Sequence, residues 1–462
     1  MADDRGWGDV GFRSGAIART PNLDAMAANG LRLESFHAAA PVCSPTRGSV
    51  LTGRHPLRYG VVAANRGHLP HEEITAAEIL REAGYSTGFF GKWHLGTLTT
   101  EVRDSNRGGP GSVEHYSPPW EHGFDVVFAT EAAVPTYDPM SRPEEGGAWW
   151  NPIVDPNSAR PFGTAYWSEK GHRITENLEG DDSKIITNHA IRFIERSAAA
   201  NQAFFVVIWF HAPHPPVVAD AAHRKPYDQL PGRAQAHFGS IGALDDQVGR
   251  LRERLRSLDI ESDTLLWYTS DNGPEGPDEQ LATSPGRTGG LRGRKRSLYE
   301  GGIRVPTVVE WPGHIASQAM SREGAVSSDI LPTLLDLLGV RMPDDRPLDG
   351  VSLLPIFKGQ RLRRGEPIAF EYEEQVALID GDYKGIRGGR DPTTWSGTLR
   401  GEAPAVDLEF ELYNLTTDSA ESVDLASQQP QRAQRMVEHV RRWRASVQRS
   451  RAGRDYETDH GS

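Results

Sequence analysis

Between residues 20 and 340 the hydrophobic pattern of this chain keeps switching between the period of a helix and that of a strand. That alternation narrows the possible folds more than any other feature. Thr20 offers a cap, Pro21 suits the first helical position and Gly30 a stop, so a helix is predicted there, followed by a strand over 31–36. Thr75-Ala76-Ala77-Glu78 has the form of a capping box and opens a helix to Ala83, ended by Gly84; a strand over 85–90 follows. Ile185, His189 and Ile194 mark another helix, and the apolar run 203–210 reads as a buried strand. Ile241, Leu244, Val248, Leu251, Leu255 and Leu258 recur at helical spacing before a strand over 264–268. This order predicts an α/β fold, a mostly parallel sheet flanked by helices. Ligands of such sheets bind beyond the carboxyl ends of the strands, so polar residues just after a strand are candidates for a site. Lys92-Trp93-His94 and Asp271-Asn272 stand in such places.

Composition removes several classes. A net charge of −12 leaves no general basic face for nucleic-acid phosphates, so no nucleic-acid partner is expected. No apolar run reaches membrane-spanning length, so no membrane span is expected. The 462 residues allow one large domain plus a smaller one. A helix over 329–338 and a linker over 343–355 precede short β-like runs at 366–390 and 405–416 and a basic helix over 431–449. The expected division is therefore a catalytic domain, 1–355, and a small C-terminal subdomain of antiparallel sheet plus helix, 356–462. Residues 97–180 are rich in Gly, Pro, Trp and acidic side chains with little periodicity. They read as an irregular surface insertion that could also wall a cleft, with Trp120, Trp149, Trp150 and Trp167 able to stack on sugar rings or simply to pack.

The single cysteine, Cys43, has no intramolecular partner. Read alone it is a small buried hydrophobe. Its neighbours change that: Pro45 suits a first helical turn, Arg47 follows one turn later, and Gly53 can end a short helix. Cys43 is then at a helix N-terminus, where unpaired N–H groups and the dipole favour an anion. Asp3-Asp4 and Asp271-Asn272 offer hard oxygen ligands suited to Ca²⁺ or Mg²⁺, although an adjacent Asp pair by itself is most often a solvated turn. Lys92, His94, His211, His214 and Lys295 would each, singly, be an exposed Lys or a His satisfied in the core.

Together these stretches resemble the type I sulfatases, of the arylsulfatase and N-acetylgalactosamine-6-sulfatase kind. The resemblance is carried by Cys43-x-Pro45-x-Arg47 followed by Thr52-Gly53-Arg54, by Gly91-Lys92-Trp93-His94-x-Gly96, by His211-Ala212-Pro213-His214, by Asp271-Asn272 and by the run from Leu291 to Pro306, and it spans most of residues 3–310. It implies an alkaline-phosphatase-like fold and a sulfuric ester hydrolase. Cys43 would be converted to formylglycine by a maturation enzyme and serve as nucleophile, with Arg47 holding it. One Ca²⁺ would be bound by Asp3, Asp4, Asp271, Asn272 and the oxygen of the converted Cys43. Lys92 and Lys295 would grip sulfate oxygens, His94 would orient the formylglycine hydroxyls, and His214, or less fittingly His211, would protonate the leaving group. A sulfated carbohydrate or an aryl sulfate ester is the implied substrate, and relatives of this kind are periplasmic or secreted. The resemblance also implies a buried strand leading into Asp3-Asp4, so a strand upstream of Met1 is expected; no signal peptide stands within the sequence.

The chemistry accounts for these residue types. A sulfate ester shows an anion to any nucleophile, so attack requires neutralisation by metal, Lys, Arg and helix N–H groups. The departing alkoxide requires a proton, which a placed His can supply. A phosphonate or phosphate ester hydrolase of the same superfamily is the nearest alternative, but such relatives tend to carry His where Asn272 stands and lack Lys-x-His. A non-catalytic binding protein on the same scaffold is the other alternative, and the complete residue set argues against it.

Overall fold

The structure, a computed structural model, describes residues 1–145, 147–389 and 409–456. In chain order the elements that position the site begin with α1 (Pro21–Asn29), β1 (Leu31–Leu33), α2 (Cys43–Thr52), α3 (Ala76–Glu82), β2 (Ser86–Lys92) and β3 (Val126–Thr130). Then come β4 (Tyr166–Ser168), β5 (Arg173–Ile174), α4 (Asp182–Ala199), β6 (Phe204–Trp209), α5 (Gly232–Ser257) and β7 (Leu266–Tyr268). The chain continues through β8 (Val308–Glu310), β9 (Ala319–Ser321) and α6 (Ile330–Leu338). It closes with β10 (Ile368–Tyr372), β11 (Gln375–Asp380), β12 (Tyr383–Arg387), β13 (Glu411–Asn414) and α7 (Pro430–Arg451).

Three strands of the central sheet, β6, β2 and β3, run parallel, and β4 and β5 extend its edge antiparallel in the order β5-β4-β3-β2-β6. A second sheet, β7-β8-β1-β9, is parallel only between β1 and β9. Both sheets are thus mixed, flanked by helices as expected; in the central one the parallel strands are extended at one edge by antiparallel β4 and β5 from the 97–180 insertion. That insertion is not simply irregular surface: β3 and β4 bury Val127, Phe128, Tyr166 and Trp167 in the core. Trp167 donates its indole N–H to Asp104 (2.8 Å), so it packs rather than waiting for a sugar. The strand expected over 31–36 is two pieces, because Glu34 and Ser35 turn the chain before Phe36 and His37 enter another sheet.

Alternation along β2 sends side chains to opposite faces. Phe90 joins Met26, Phe128, Phe193 and Leu244 against α1, α4 and α5, whereas Phe89 joins Leu51, Trp93, Val127 and Trp209 on the side of α2. Met1 and Ala2 join the two sheets. The Met1 nitrogen donates to Ile208 O (2.7 Å) and Phe210 N–H to Met1 O (3.0 Å), while Ala2 N–H donates to Thr269 O (2.9 Å) and Asp271 N–H to Ala2 O (3.2 Å). An apolar groove of about 830 Å³ runs along β6 and β7, lined by Val206, Leu266, Leu251 and Leu334 among others.

The C-terminal sheet is an antiparallel meander, β10-β11-β12-β13. Residue 390 and residues 405–408 of the predicted β-like runs lie outside the described residues. One face packs Phe370, Tyr372, Ala377 and Ile386 against Val42, Leu298 and Tyr299; the other packs Val376, Leu378 and Leu412 against Met436, Val437 and Val440 of α7. The tail therefore backs the loops that carry Cys43 and Lys295. Among the described residues no helix is long and apolar enough to cross a membrane.

Candidate active site

The polar residues converge beyond the carboxyl ends of the parallel strands, as such sheets require. Asp3-Asp4 continue from the Met1-Ala2 bridge, with Asp4 at a φ of 62° and its N–H donated to Asp271 Oδ1 (3.0 Å). Cys43 is the first residue of α2, whose cap position, Val42, has no side chain able to take up the free N–H groups. Gly53 ends that helix in the left-handed conformation, its N–H on Ser49 O (2.9 Å). Lys92 is the last residue of β2, His94 lies two residues on, and Asp271-Asn272 follow β7. A Cβ on Gly273 would meet Gly301 O at 2.0 Å, so only glycine allows the Asp271-Asn272 turn to lie against the 300–303 segment. Lys295 sits on a loop clamped from the C-terminal sheet: Gln375 accepts from Leu298 N–H (2.9 Å) and donates to Arg296 O (2.8 Å).

The result is a buried set of alternating charges. Lys92 Nζ lies 2.5 Å from Asp3 Oδ2, Lys295 Nζ 2.6 Å from Asp4 Oδ1, and the Arg47 guanidinium 2.8 Å from Asp271 Oδ2 and 3.3 Å from Asp3 Oδ2. Cys43 Sγ is 3.4 Å from Asp3 Oδ1 and 4.0 Å from Asp4 Oδ1. Burial, reinforced by Asp3, raises the Cys43 thiol far above its ordinary pKa, so the unmodified side chain is a neutral thiol and a poor nucleophile. Burial opposes ionisation of Asp4, but Lys295, His214 and Lys92 hold it below the usual carboxylate range. Burial also lowers His94 well below an ordinary histidine, with Lys92 and Arg47 adding to it, so His94 is neutral. His214 is lowered too, by burial and then by Lys295 and Lys92 against the pull of Asp4. Its Nδ1 donates to Pro215 O (2.6 Å), which leaves Nε2 facing Asp4 Oδ2 at 3.7 Å. With a side chain 23% exposed, His214 borders the mouth of the site.

Asp3, Asp4, Cys43 and His214 present ligand atoms that all lie within 4.8 Å of one another. Asn272 adjoins them, donating Nδ2 to Asp4 Oδ1 (2.7 Å), while its own Oδ1 is buried with no hydrogen-bond partner. A half-turn of that amide exchanges N for O and turns the orphaned oxygen towards Asp4. The carboxylate and amide oxygens of Asp3, Asp4, Asp271 and Asn272 are hard donors of the kind that suits Ca²⁺ or Mg²⁺. Asp271 is engaged on both oxygens, by Asp4 N–H and Arg47, each of which leaves a further lone pair.

Asp3, Asp4, Cys43, Arg47, Lys92, Asp271, Asn272 and Lys295 are therefore joined by direct contacts, with His214 at their edge and His94 in the field of Lys92 and Arg47. His211 is the exception. It is fully buried, with Nδ1 on Asp182 (2.7 Å) and Nε2 on Thr130 Oγ1 (2.7 Å), so neither nitrogen is left for a leaving group, and its expected alternative role is withdrawn. Sequence reasoning missed Asn65, which meets His94 Nε2 at 2.8 Å, and Glu275, which meets Lys295 at 3.3 Å and Arg296 at 2.6 Å. Asn65 lies in a loop without any motif, so nothing in the sequence pointed to it; Glu275, three residues after Asn272, carries the one signal of its nearness to that pair.

The chain matches the family model of the sulfatases over residues 1–340 and that of the N-sulphoglucosamine sulphohydrolase C-terminal region over 293–388. It is 32% identical over 413 residues to N-acetylgalactosamine-6-sulfatase of Sus scrofa, covering 83% of this chain and 70% of that one. It is 32% identical over 463 residues to arylsulfatase G of Rattus norvegicus, covering 93% and 82%. Among solved structures, Ps i-CgsB in complex with k-i-k-neocarrahexaose superposes with a TM-score of 0.77 at 22% identity, covering 97% of this chain and 92% of that one. The shared fold, the match over most of the length and the relatives' common activity place the chain among enzymes that hydrolyse sulfate esters: it belongs to the sulfatase family.

Proposed function

We propose that this sulfatase removes sulfate from a sulfated carbohydrate, with Cys43 converted to formylglycine by a maturation enzyme and one Ca²⁺ held by Asp3, Asp4, Asp271 and Asn272. An aryl sulfate ester is the alternative substrate. The observation that carries the reading is the position of Cys43: a lone, buried, unreactive thiol at a helix N-terminus, 3.4 Å from Asp3 and surrounded by Arg47, Lys92 and Lys295. A thiol held neutral has little use there, whereas an oxygen nucleophile in its place would. The names of the relatives, one acting on N-acetylgalactosamine 6-sulfate groups and one solved with a carrageenan-type oligosaccharide, support the carbohydrate.

Formylglycine, when hydrated, supplies two hydroxyls, one to attack sulfur and one whose deprotonation later expels sulfate. The divalent ion, when bound, supplies charge that lowers the pKa of the attacking hydroxyl and neutralises a sulfate oxygen. The rest falls to the chain. Lys92 and Lys295 now spend their charge on Asp3 and Asp4; once those carboxylates turn to a cation, both ammonium groups are free to bind sulfate oxygens. Arg47 fixes the first turn of α2 by donating to Lys92 O (2.9 Å) and Asp271. His214 Nε2 carries the proton to the leaving oxygen. Lys295 and Lys92 disfavour its imidazolium form, and a bound sulfate anion offsets them, so substrate itself promotes the protonated form that can donate. His94, neutral, takes a proton from the second hydroxyl.

The test is sulfate release from a panel of sulfated sugars and one aryl sulfate, with Cys43→Ala in parallel and the mass of the Cys43 peptide determined. Release by the converted wild type and none by Cys43→Ala, at unchanged melting temperature, is expected. Normal turnover by Cys43→Ala would sink the mechanism.

A further inference from the structure

We propose that Asn65 is a positioning residue that sets the tautomer of His94 and so decides which ring nitrogen serves the reaction; this rests on the formylglycine reading above. Asn65 Oδ1 lies 2.8 Å from His94 Nε2 and also accepts from Asn106 Nδ2 (3.1 Å). An amide oxygen only accepts, so the ring nitrogen facing it carries the hydrogen. In the neutral ring Nδ1 then holds the lone pair. Nδ1 is buried and has no partner among the described residues, in a residue 4% exposed that lies in the electrostatic field of Lys92, Arg47, Arg107 and His214. A buried acceptor left unpaired is costly and is kept where a ligand's hydroxyl completes it. The second hydroxyl of a hydrated formylglycine is such a donor, and its proton is the one that must leave for sulfate to be expelled: the O–H bond breaks, Nδ1 gains the proton, the carbonyl reforms and the bond to sulfate oxygen breaks.

The surroundings of Asn65 are built for this contact. Glu131, fully buried, accepts from Arg107 Nε (3.0 Å) and from Asn106 N–H (3.3 Å), and its carbonyl accepts from His94 N–H (2.9 Å). Arg107 in turn donates to Gly67 O (2.6 Å), two residues after Asn65. Glu131 thus ties the His94 backbone through its carbonyl, and through its carboxylate holds the Asn106 backbone and the Arg107 that braces the loop carrying Asn65. Asn65 and His94 both adopt left-handed backbone, at φ of 61° and 60°.

Glycine tolerates that backbone, so Asn65→Gly removes the oxygen without strain. The tautomer is read by NMR of protein labelled with ¹⁵N-histidine, His94 being assigned through His94→Gln, and turnover is read on the sulfate ester that the converted enzyme uses. Wild type should show Nε2 protonated and Nδ1 with a lone pair. Asn65→Gly should show a mixture of tautomers and a kcat lower by about 10–100-fold, as for loss of a partner that orients a functional histidine, with KM little changed. Asn65→Asp, which keeps an accepting oxygen, should recover most of that loss. Nδ1 protonated in the wild type, or an unchanged kcat in Asn65→Gly, would overturn the proposal. Failure of the wild type to hydrolyse any sulfate ester would instead count against the parent reading, and the tautomer would still decide the role of Asn65.

Discussion

Lys384 lies far from Cys43 in sequence, yet replacing it with methionine should loosen the whole back of the site. Its Nζ is 2.9 Å from both Glu300 and Glu421, and all three side chains are completely buried. Glu300 also takes His37 Nε2 at 3.1 Å and Arg304 at 3.5 Å. At an effective dielectric constant of about 20, each Lys–Glu contact is worth roughly 6 kcal/mol of attraction, most of it offset by the cost of dehydrating the charges. Methionine keeps the stem and drops the charge, leaving two neighbouring buried carboxylates short of a cation, for a net loss of about 3–5 kcal/mol. Unfolding entropy is about 2.1 cal/mol/K per residue, so a chain melting as one unit would lose only ~3–5 °C. A C-terminal subdomain of roughly a hundred residues melting by itself would lose about 15–25 °C. Calorimetry therefore reads both the strength of the network and whether the tail is a separate folding unit. A melting temperature and denaturant midpoint both equal to wild type would refute the reasoning. Acid adds a second readout. Burial opposes ionisation of Glu300, but Lys384 and His37 hold its folded pKa below the ordinary value of 4.5. Its stabilisation is therefore full above that value and lost as pH falls through the depressed one, and Lys384→Met should flatten this loss below pH 4.5.

Two further outcomes follow from the charge pattern. Asp3, Asp4 and Asp271 balance Arg47, Lys92 and Lys295, so the pocket gains a net positive charge only when a divalent cation enters; calorimetric titration should show sulfate binding weakened by chelator and restored by Ca²⁺, and equal affinity in both would refute this. Asn272→Asp adds a carboxylate where Nδ2 now meets Asp4 at 2.7 Å, so Ca²⁺ affinity should change more than the melting temperature of the Ca²⁺-loaded protein; a large fall in melting temperature with unchanged affinity would show that the amide is structural.

What could be read in advance was what local chemistry dictates. The Thr75–Glu78 capping box, α2 with Cys43 first and Gly53 as its C-terminal cap, and Asp271-Asn272 after a strand each depend on residues a few positions apart, and each stands where its pattern put it. The site residues could be matched because motifs carry them, and the one that misled, His211, shows the limit. Its spacing from His214 suits a site, but whether a histidine is free depends on Asp182 and Thr130, which come from other elements. The 97–180 segment hid its strands for a related reason. Strands of two to five residues, such as β3, β4 and β5, are too short for a period to declare itself, and they are strands because β2 offers an edge to β3, β3 to β4 and β4 to β5. Gln375 holds the Lys295 loop across 77 residues of sequence, and Asn65 meets His94 across 29. Neither contact has a local signature, since a single amide serves in each and any loop can supply one. Motifs therefore revealed the groups gathered around Cys43, while the groups that contact them from the 63–66 turn, the 103–108 hairpin and the C-terminal sheet required the fold to bring them together.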